Sequence, residues 1–524
     1  MSSATRTRPG AVLAVMCLAV FTVNVDTTIV NVTLPTLVAE LGATTRDLQW
    51  IVDSYLLVFA ALVLAGGSLS DRLGRRAVLV AGLAVFGLGN TLATLAGTPG
   101  ELITARAFTG IGAAAVFPTT LSILTQVYRE RAARARAIGL WGASTGLAVA
   151  FGPITGGALL EQFWWGSTFL AKLPIALVAI VLVLALVPES RDPAAPRIDL
   201  PGLVLSALGL AALVYTIIEA PGHGWTSGRT LLGSAVAAGL FAAFTRHERH
   251  TAHPMLDLRL FADRRFTAAA LAITVAFFAL FGFIFLITQY FQFVRGYSPL
   301  ETGLRILPVA LCVAVGSILG SALVVRLGNK LVVTSGLLSL SVAYAWISTA
   351  SGVTSYSEIA AQMVFLGLGM GLTSAPATES IMGAVQIDKA GIGSAVNDAT
   401  REVGGTLGVA VICSVFASLY ASQVETLPNG VPTDAAQTAG ESVGAAFTVA
   451  AQLPAGPAAL VRAAAEQGFF DGLAAGCLVA SVVALAGAAV AAFALPARPP
   501  SAAERDPHAP GDATARTARP VQTL

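Results

Sequence analysis

Charged residues are scarce in this chain of 524 residues. Asp, Glu, Lys and Arg together make up 11% of it, whereas hydrophobic residues make up 55%. A soluble domain cannot bury so large an apolar share, so the composition excludes a soluble globular protein and indicates a polytopic membrane protein. The formal net charge of +2 gives no reason to expect a nucleic-acid partner.

Cysteine and lysine are also rare. The four cysteines stand singly without a CxxC pair, so neither a disulfide framework nor a metal site is predicted. A Walker A loop ends in Lys followed by Ser or Thr, and none of Lys172, Lys330 and Lys389 precedes either residue. The sequence therefore excludes a Walker A ATPase. No catalytic constellation is present, so we expect no enzyme and no cofactor. No histidine lies in a predicted span, which leaves carboxylates as the good intramembrane proton carriers.

Fourteen apolar stretches are long enough to cross a bilayer, which takes about 20 residues per helix. They lie near residues 12–34, 48–70, 77–96, 101–125, 137–160, 168–187, 200–219, 230–245, 266–293, 303–325, 331–350, 356–381, 391–421 and 470–495. With the N-terminus inside, 23 of the 31 Lys and Arg residues fall in cytoplasmic segments and five in outer loops. Because cytoplasmic segments are rich in Lys and Arg, both termini are predicted to be cytoplasmic.

Two short patterns recur and indicate an internal duplication. GGSLSDRLGRR at 66–76 is echoed 254 residues later by GSALVVRLGNK at 320–330, and GIGAAAVFPTT at 110–120 by GLGMGLTSAPAT at 367–378. Spans one to six and nine to fourteen then form equivalent halves around an inserted hairpin. The predicted units are a cytoplasmic tail (1–10), an N-terminal six-helix bundle (11–187), linkers with helices seven and eight (188–265), a C-terminal six-helix bundle (266–495) with an outer loop (422–469) that could hold a short helix at 456–467, and a disordered cytoplasmic tail (496–524).

Asp26, in the stretch DTTIVNVTLP, lies inside the first predicted span. A carboxylate at that depth costs about 3 kcal/mol or more if it faces lipid, so we expect it to face the protein interior or a water-filled cavity. A low dielectric constant disfavours the charged carboxylate, which suits a group that takes up and releases protons. The alternative is a carboxylate that is only hydrogen-bonded to Thr or Asn side chains of its own helix.

Three further motifs carry residues that are unusual in apolar spans. In GSLSDRLGRR at 67–76, the glycines allow a tight turn and Asp71 can face a cation or a helix N-terminus. In RAFTGIGAAAVFP at 106–118, Arg106 must pair with an acid or snorkel outward, since arginine does not readily lose its proton. In GLAVAFGPITGG at 146–157, Pro153 bends span five and the glycines let another helix pack closely.

A second acidic site is predicted in span thirteen. Asp398 and Glu402 stand four residues apart and share a helix face, with Arg401 beside them. They are candidates for binding a cation or a second proton, and the alternative is a charged turn at the start of the helix. Asp53 is a weaker candidate because we expect it near a membrane surface, and Lys172 is expected to snorkel outward.

Together the motifs, spread over roughly residues 11–495, resemble those of the fourteen-span drug/proton antiporters of the major facilitator superfamily. DTTIVNVTLP resembles the span-one signature of that branch, RAFTGIGAA its span-four signature, and GPITGG its antiporter motif. The resemblance implies an all-α polytopic membrane protein with 14 transmembrane helices arranged as 6 + 2 + 6, a substrate site at the midplane and a location in the bacterial plasma membrane. The chain departs from the pattern at Ala148, where Gly is common, and at Lys172, where the related stretch has Asn.

The implied activity is proton-coupled export of amphipathic, mainly cationic drugs, with small drug-like molecules, protons and the lipid bilayer as partners of a monomer. A dedicated exporter of one self-made antibiotic and a non-transporting membrane sensor of the same fold are the alternatives. The candidate residues are Asp26, Arg106, Asp398 and Glu402 for proton coupling; Asp26, Asn31, Asp53, Tyr55, Phe283, Gln289 and Asp398 for substrate binding; Gly67, Asp71, Arg72, Gly74, Arg75 and Arg76 for a gating loop that latches against the start of span thirteen; and Gly152, Pro153, Gly156 and Gly157 for the antiporter motif.

Overall fold

The computed structural model describes residues 9–191, 199–251, 254, 256, 258–384, 390–425 and 431–496. Residues 1–8 and 497–524 of the predicted terminal tails, and residues 192–198 of the linker after span six, lie outside these residues. Within them the regular elements are helices. Fourteen helices are long and apolar enough to cross a membrane, in agreement with the predicted number.

The helices fall into three groups along the chain. The first half contains α1 (Pro9–Leu41), α2 (Thr45–Leu73), α3 (Arg75–Thr94), α4 (Pro99–Val127), α5 (Arg131–Gln162), and α6 (Ser167–Leu170) with α7 (Lys172–Leu186), which together make the sixth span. The inserted hairpin is α8 (Leu200–His223) and α9 (Gly228–His250). The second half contains α10 (Arg264–Gln289) with a π-helical turn (Tyr290–Val294), α11 (Pro299–Leu327), α12 (Asn329–Ile347), α13 (Tyr356–Ala384), α14 (Ala390–Glu425), α15 (Thr433–Glu441), α16 (Val443–Gln452) and α17 (Ala455–Ala494).

The internal duplication is visible in how the helices begin and end. α11 starts and ends 254 residues after α2, at Pro299 and Leu327 against Thr45 and Leu73. Both helices open with a capping box, in which a hydroxyl side chain and an acidic side chain three residues later satisfy each other's backbone N–H groups. Both end at a glycine with positive φ, Gly74 and Gly328, where a side chain would be strained.

The outer loop differs from the prediction. α17 begins at Ala455, whereas the last span is predicted to begin at 470. The short helix expected at 456–467 is therefore the first part of α17. Two further helices, α15 and α16, occupy the residues before it. Tyr420 ties this region to α14, because its hydroxyl donates to the carbonyl oxygen of Ala439 at 2.9 Å. The predicted outer loop is therefore largely helical.

The two halves meet closely at their outer ends. A Cβ on Gly157 of α5 would collide with the backbone of Pro299 and Leu300 at the start of α11, and one on Gly303 would collide with that of Pro153. Ser298 donates a hydrogen bond to Glu161 at 2.5 Å. Small residues thus let α5 and α11 approach backbone to backbone on the outer side.

The inserted hairpin lies along the opposite junction between the halves. α8 packs against both α2 and α14, and Ala60, Val214 and Ala410 form part of one small apolar cluster there. At the outer end Arg46 of α2 pairs with Glu219 of α8 at 2.6 Å. α8 therefore joins the two halves along their length.

Candidate functional site

Asp26 lies at the centre of a buried ion cluster in the first half. One carboxylate oxygen accepts a hydrogen bond from Nη1 of Arg106 on α4 at 2.5 Å, and the other pairs with Nζ of Lys172 at the start of α7. All three side chains are at most 2% exposed. A carboxylate taken out of water at this depth is stabilised by such charge-assisted bonds, and each partner alone would be costly to bury.

Aromatic rings enclose the two cations of this cluster. The guanidinium of Arg106 lies 4.3 Å from the ring centroid of Tyr55 on α2, and its Nε donates to the carbonyl oxygen of Ile51 at 3.2 Å. The ammonium of Lys172 lies 4.6 Å from the ring centroid of Phe169. Cation–π contacts of this kind hold charged groups where water is excluded. Four helices, α1, α2, α4 and α7, thereby contribute to one site.

Two expectations about this site are corrected. Lys172 does not snorkel outward: it is buried and bound to Asp26, because the short α6 turn places the start of α7 against α1. Asp26 is also not merely hydrogen-bonded within its own helix, since Thr27 and Asn31 donate instead to backbone carbonyl oxygens one turn earlier. Arg106 pairs with a carboxylate, the first of the two options that the sequence left open.

The second acidic site lies inside α14 of the other half, about two turns after its start. Asp398 is 2% exposed, and its nearest cation is Arg401, with Nη1 3.9 Å from Oδ1. The Arg401 guanidinium lies 4.6 Å from the ring centroid of Phe277. One oxygen of Asp398 and one of Glu402 have no hydrogen-bond partner in the described part of the chain. The second acidic site therefore has fewer hydrogen bonds than the Asp26 cluster. The alternative of a charged turn at the start of the helix does not describe these residues, which lie within α14.

Asp53 is buried within the protein, and the expectation that it lies near a membrane surface stays a prediction. Its side chain is fully enclosed on α2, and neither carboxylate oxygen has a hydrogen-bond partner among the described residues. It lies within electrostatic range of Cys413 on α14, at the junction that α8 covers. A buried carboxyl group without partners is costly in its ionised form.

The remaining substrate candidates divide between two places. Gln289 is fully buried near the outer end of α10, and neither amide atom has a partner within the described ranges. Phe283 lines a cavity enclosed by α10, α12, α13, α14 and α17, so it faces the interior of the second half and not the space between the halves. Asn31 and Tyr55 lie on the helices that carry the Asp26 cluster. The candidates thus do not form one continuous surface.

The loop between α2 and α3 holds its charges within the first half. Arg75 donates to Asp71 at 2.8 Å and to Ser122 of α4 at 2.9 Å. Glu189, after α7, accepts from the backbone N–H of Arg76 at 3.2 Å and so caps the start of α3. Residues 385–389 and the side chains of 390–395 lie outside the described residues, so the latch expected at the start of span thirteen remains a prediction.

The antiporter motif brings α5 against α1 close to the ion cluster. A Cβ on Gly152 would lie 3.0 Å from the Cβ of Thr28, and one on Gly156 would lie 2.7 Å from Ile29. The hydroxyl of Thr28 also hydrogen-bonds to the Ala148 carbonyl oxygen at 3.3 Å. Since Thr28 and Ile29 follow Asp26 within one helical turn, the glycines of α5 hold the helix segment that carries the carboxylate.

Comparison with known proteins places this architecture among transporters. The family model described as Major Facilitator Superfamily matches residues 16–409. The chain is 36% identical over 490 residues, 94% of its own length and 97% of the relative's, to the multidrug efflux pump LfrA of Mycolicibacterium smegmatis. It is 30% identical over 523 residues, 98% of its length and 97% of the relative's, to the tetracenomycin C resistance and export protein of Streptomyces glaucescens.

A solved structure agrees in fold. A bacterial homologue of the human lysosomal transporter Spinster, in an inward-facing and unoccupied conformation, superposes with a TM-score of 0.64 at 17% sequence identity. The alignment covers 93% of this chain and 98% of that one.

Proposed function

The chain belongs to the Major Facilitator Superfamily, and on that premise we propose that it is a proton-coupled antiporter that exports amphipathic, mainly cationic drugs across the bacterial plasma membrane. The observation that carries the proposal is the buried cluster of Asp26, Arg106 and Lys172. Buried charges of this kind are costly in a membrane protein and mark ion or proton pathways.

The names of similar proteins support drug export. Besides LfrA, the chain is 37% identical over 419 residues, 79% of its length and 77% of the relative's, to the multidrug resistance protein Stp of Mycobacterium tuberculosis. The buried ion cluster supports a transport role independently of these names. Small drug-like molecules are the substrates that both observations favour.

The mechanism follows from the charges of the two halves. Asp26 in α1 and the pair Asp398 and Glu402 in α14 place acidic groups in both halves at membrane depth. In the inward-facing state a cationic drug is attracted by these groups, and in the outward-facing state protons from outside reduce that attraction. Drug and protons thus compete for the same acidic groups and are not bound at the same time. Rocking of the two halves exposes the site to the cytoplasm and to the outside in turn.

The contacts between the halves are consistent with such rocking. Those that join α5 to α11 are concentrated at the outer ends, where Gly157, Gly303 and the Ser298–Glu161 hydrogen bond lie. Opening the outer side would separate these contacts, while the Asp26 cluster, which lies wholly within the first half, could stay intact. The ion cluster and the outer closure are thus separate elements of the transport cycle.

The proposal is tested by efflux of ethidium from cells that express the protein, with and without a protonophore. We expect wild-type cells to expel the dye only while the proton gradient exists, and Asp26→Asn to abolish the gradient-dependent part. Asp434→Asn, which changes an exposed carboxylate in α15, is the matched control and should behave as wild type. Efflux that is insensitive both to the protonophore and to Asp26→Asn would rule out proton coupling at this site.

A dedicated antibiotic exporter is the second candidate. It is favoured by the Streptomyces relatives, among them the methylenomycin A resistance protein of Streptomyces coelicolor, 33% identical over 395 residues that make up 75% of this chain and 83% of the relative. Efflux assays with a panel of cationic, neutral and acidic compounds separate the two. Export of one compound alone would favour the dedicated exporter.

A further inference from the structure

Lys172 belongs to the ion cluster, but the mechanism proposed above gives it no role of its own. Its ammonium group is 1% exposed, binds one oxygen of Asp26 and lies over the ring of Phe169. The chain contains three lysines in all. A lysine buried inside a membrane-spanning protein needs a reason beyond the positive-inside distribution of charge.

The cluster carries more positive than negative charge. Arg106 and Lys172 together contribute two positive charges, and Asp26 contributes one negative charge when it is ionised. Both oxygens of Asp26 are already occupied, one by each cation. Asp26 therefore cannot take up a proton or bind a drug cation without losing one of its two partners. A surplus charge buried among apolar residues is unfavourable, so the simplest relief is the loss of a proton from one cation.

The two cations differ in their ability to lose a proton. The guanidinium of Arg106 stays protonated in proteins, whereas a buried lysine ammonium changes its protonation state readily. We propose that Lys172 is the group of this cluster that exchanges a proton in the transport cycle, and that its charge decides whether a cationic substrate is accepted. This inference rests on the proposed function and names the proton carrier within it.

The surroundings of Lys172 offer few competing groups. Asp26 faces it from α1, and Arg106 and Tyr55 lie beyond Asp26 on α4 and α2. α6 contributes the uncharged Phe169. The charged residues of α3, which packs against α7, are Arg75 and Arg76 at its far cytoplasmic end. Glu402 of α14 also lies within electrostatic range of Tyr55. Of the three charged groups that bind one another in the cluster, Lys172 is the one whose charge can change while the Asp26–Arg106 pair stays intact.

The proton step is simple to write. In the inward-facing state the ammonium of Lys172 releases one proton to the cytoplasm and becomes a neutral amine. The Asp26–Arg106 pair is then neutral overall, and a drug cation can approach the first half. In the outward-facing state one proton from outside returns to the amine, the cluster regains one positive charge, and the drug cation is repelled. One proton therefore enters for each complete cycle of two changes of state.

Two opposite substitutions test this step in the purified protein. Lys172→Arg fixes the positive charge, and Lys172→Asn removes it. Ethidium binding is measured by fluorescence at pH 6 and pH 9, and proton release on binding is measured in a weakly buffered solution. Lys330→Arg and Lys330→Asn, at the second residue of α12, are the matched control pair.

We expect wild type to bind ethidium more tightly at pH 9 than at pH 6 and to release protons on binding. Lys172→Arg should bind weakly at both pH values and Lys172→Asn tightly at both. The two variants should differ in affinity on the order of tenfold or more, the effect of one nearby charge at the effective dielectric constant of a protein. Neither variant should release the wild-type number of protons, whereas the Lys330 variants should match wild type.

Two results would overturn the inference in different ways. If both Lys172 variants keep the pH dependence and the proton release of wild type, the carboxylates carry the proton: the proposed function stands and the role of Lys172 is wrong. If wild type binds no ethidium at either pH, the cationic substrate class of the proposed function is wrong, and the role of Lys172 falls with it. A fluorescence-detected size-exclusion profile of each variant identifies any that fails to fold, and Lys172→Gln then replaces it.

Discussion

The carboxylate of Asp26 joins three helices of the first half by charge alone. It lies on α1, its partners lie on α4 and α7, and the Tyr55 ring of α2 covers the guanidinium. Removing the carboxylate leaves two buried cations facing each other, which is much less favourable than the loss of one exposed charge. The residue is therefore important for stability as well as for the proposed transport.

At this scale we predict that Asp26→Asn destabilises the purified protein by about 3–5 kcal/mol, the usual cost of breaking a buried ion pair by removing one partner. Asp26→Glu keeps the charge and should cost less. Thermal unfolding in detergent, followed by tryptophan fluorescence, measures both. An Asp26→Asn protein as stable as the Asp434→Asn control would show that the cluster does not hold these helices together.

Sequence reasoning predicted the burial of Asp26 but not all of its partners. A carboxylate in an apolar span must avoid lipid, so its inward orientation follows from the residue type and the depth. The pairing with Lys172 depends on how the α6 turn directs α7, a tertiary feature that joins residues 146 positions apart. One feature of the sequence could have indicated this pairing. Lys172 stands where the related stretch of the family has Asn, and a charged residue at that position needs a different polar partner.

The helix α5 is the element that links the ion cluster to the outer closure. Gly152 and Gly156 pack on α1 at Thr28 and Ile29, and the next residue, Gly157, meets the start of α11. A helix that touches both the charged site and the junction between the halves can transmit movement from one to the other. The spacing of the glycines, four residues from 152 to 156, keeps them on one face.

We predict that Gly157→Val at the junction impairs transport more than it impairs folding, because the outer ends of α5 and α11 can no longer meet. Gly142→Val on the same helix is the matched control, since a Cβ there would have nothing within 4 Å. Ethidium efflux and thermal unfolding are measured for both. Normal efflux by Gly157→Val would show that close approach of these helices is not required.

The extent of α17 shows where sequence reasoning about elements reaches its limit. Its first turns contain Arg462 and Glu466, so a search for apolar runs begins the span later. The helix continues beyond the membrane because its backbone hydrogen bonds do not depend on apolar side chains. By contrast, the equal ends of α2 and α11 follow from the repeated caps, which are visible in the sequence as Thr44 with Asp47 and Ser298 with Glu301.

The whole molecule consists of two similar halves joined at their outer ends and by the hairpin helix α8. In this arrangement the outer side is closed by contacts that include the hydrogen bond from Gln292 to the carbonyl oxygen of Val32 at 3.0 Å. Alternating access requires these contacts to break once in each cycle. The number of spans could be predicted from hydropathy, the orientation from charge, and the fold from the internal repeat and the family resemblance. The closed side could not be predicted, because it depends on which state is populated.

At this scale we predict that a cleavable thiol cross-linker between Glu161→Cys and Ser298→Cys arrests efflux by holding the outer side closed. These two side chains are in contact in the structure. Cleaving the cross-linker should restore efflux, and each single cysteine variant serves as a control. Undiminished efflux by fully cross-linked protein would show that the halves do not separate at this junction.

The most direct test of the central claim uses purified protein in proteoliposomes with an imposed pH gradient. The account predicts that ethidium accumulates against its own gradient on the acidic side while protons move the other way, and that Asp26→Asn abolishes this accumulation. Equal distribution of ethidium in the wild-type vesicles at every pH gradient, despite a correctly folded protein, would contradict proton-coupled export.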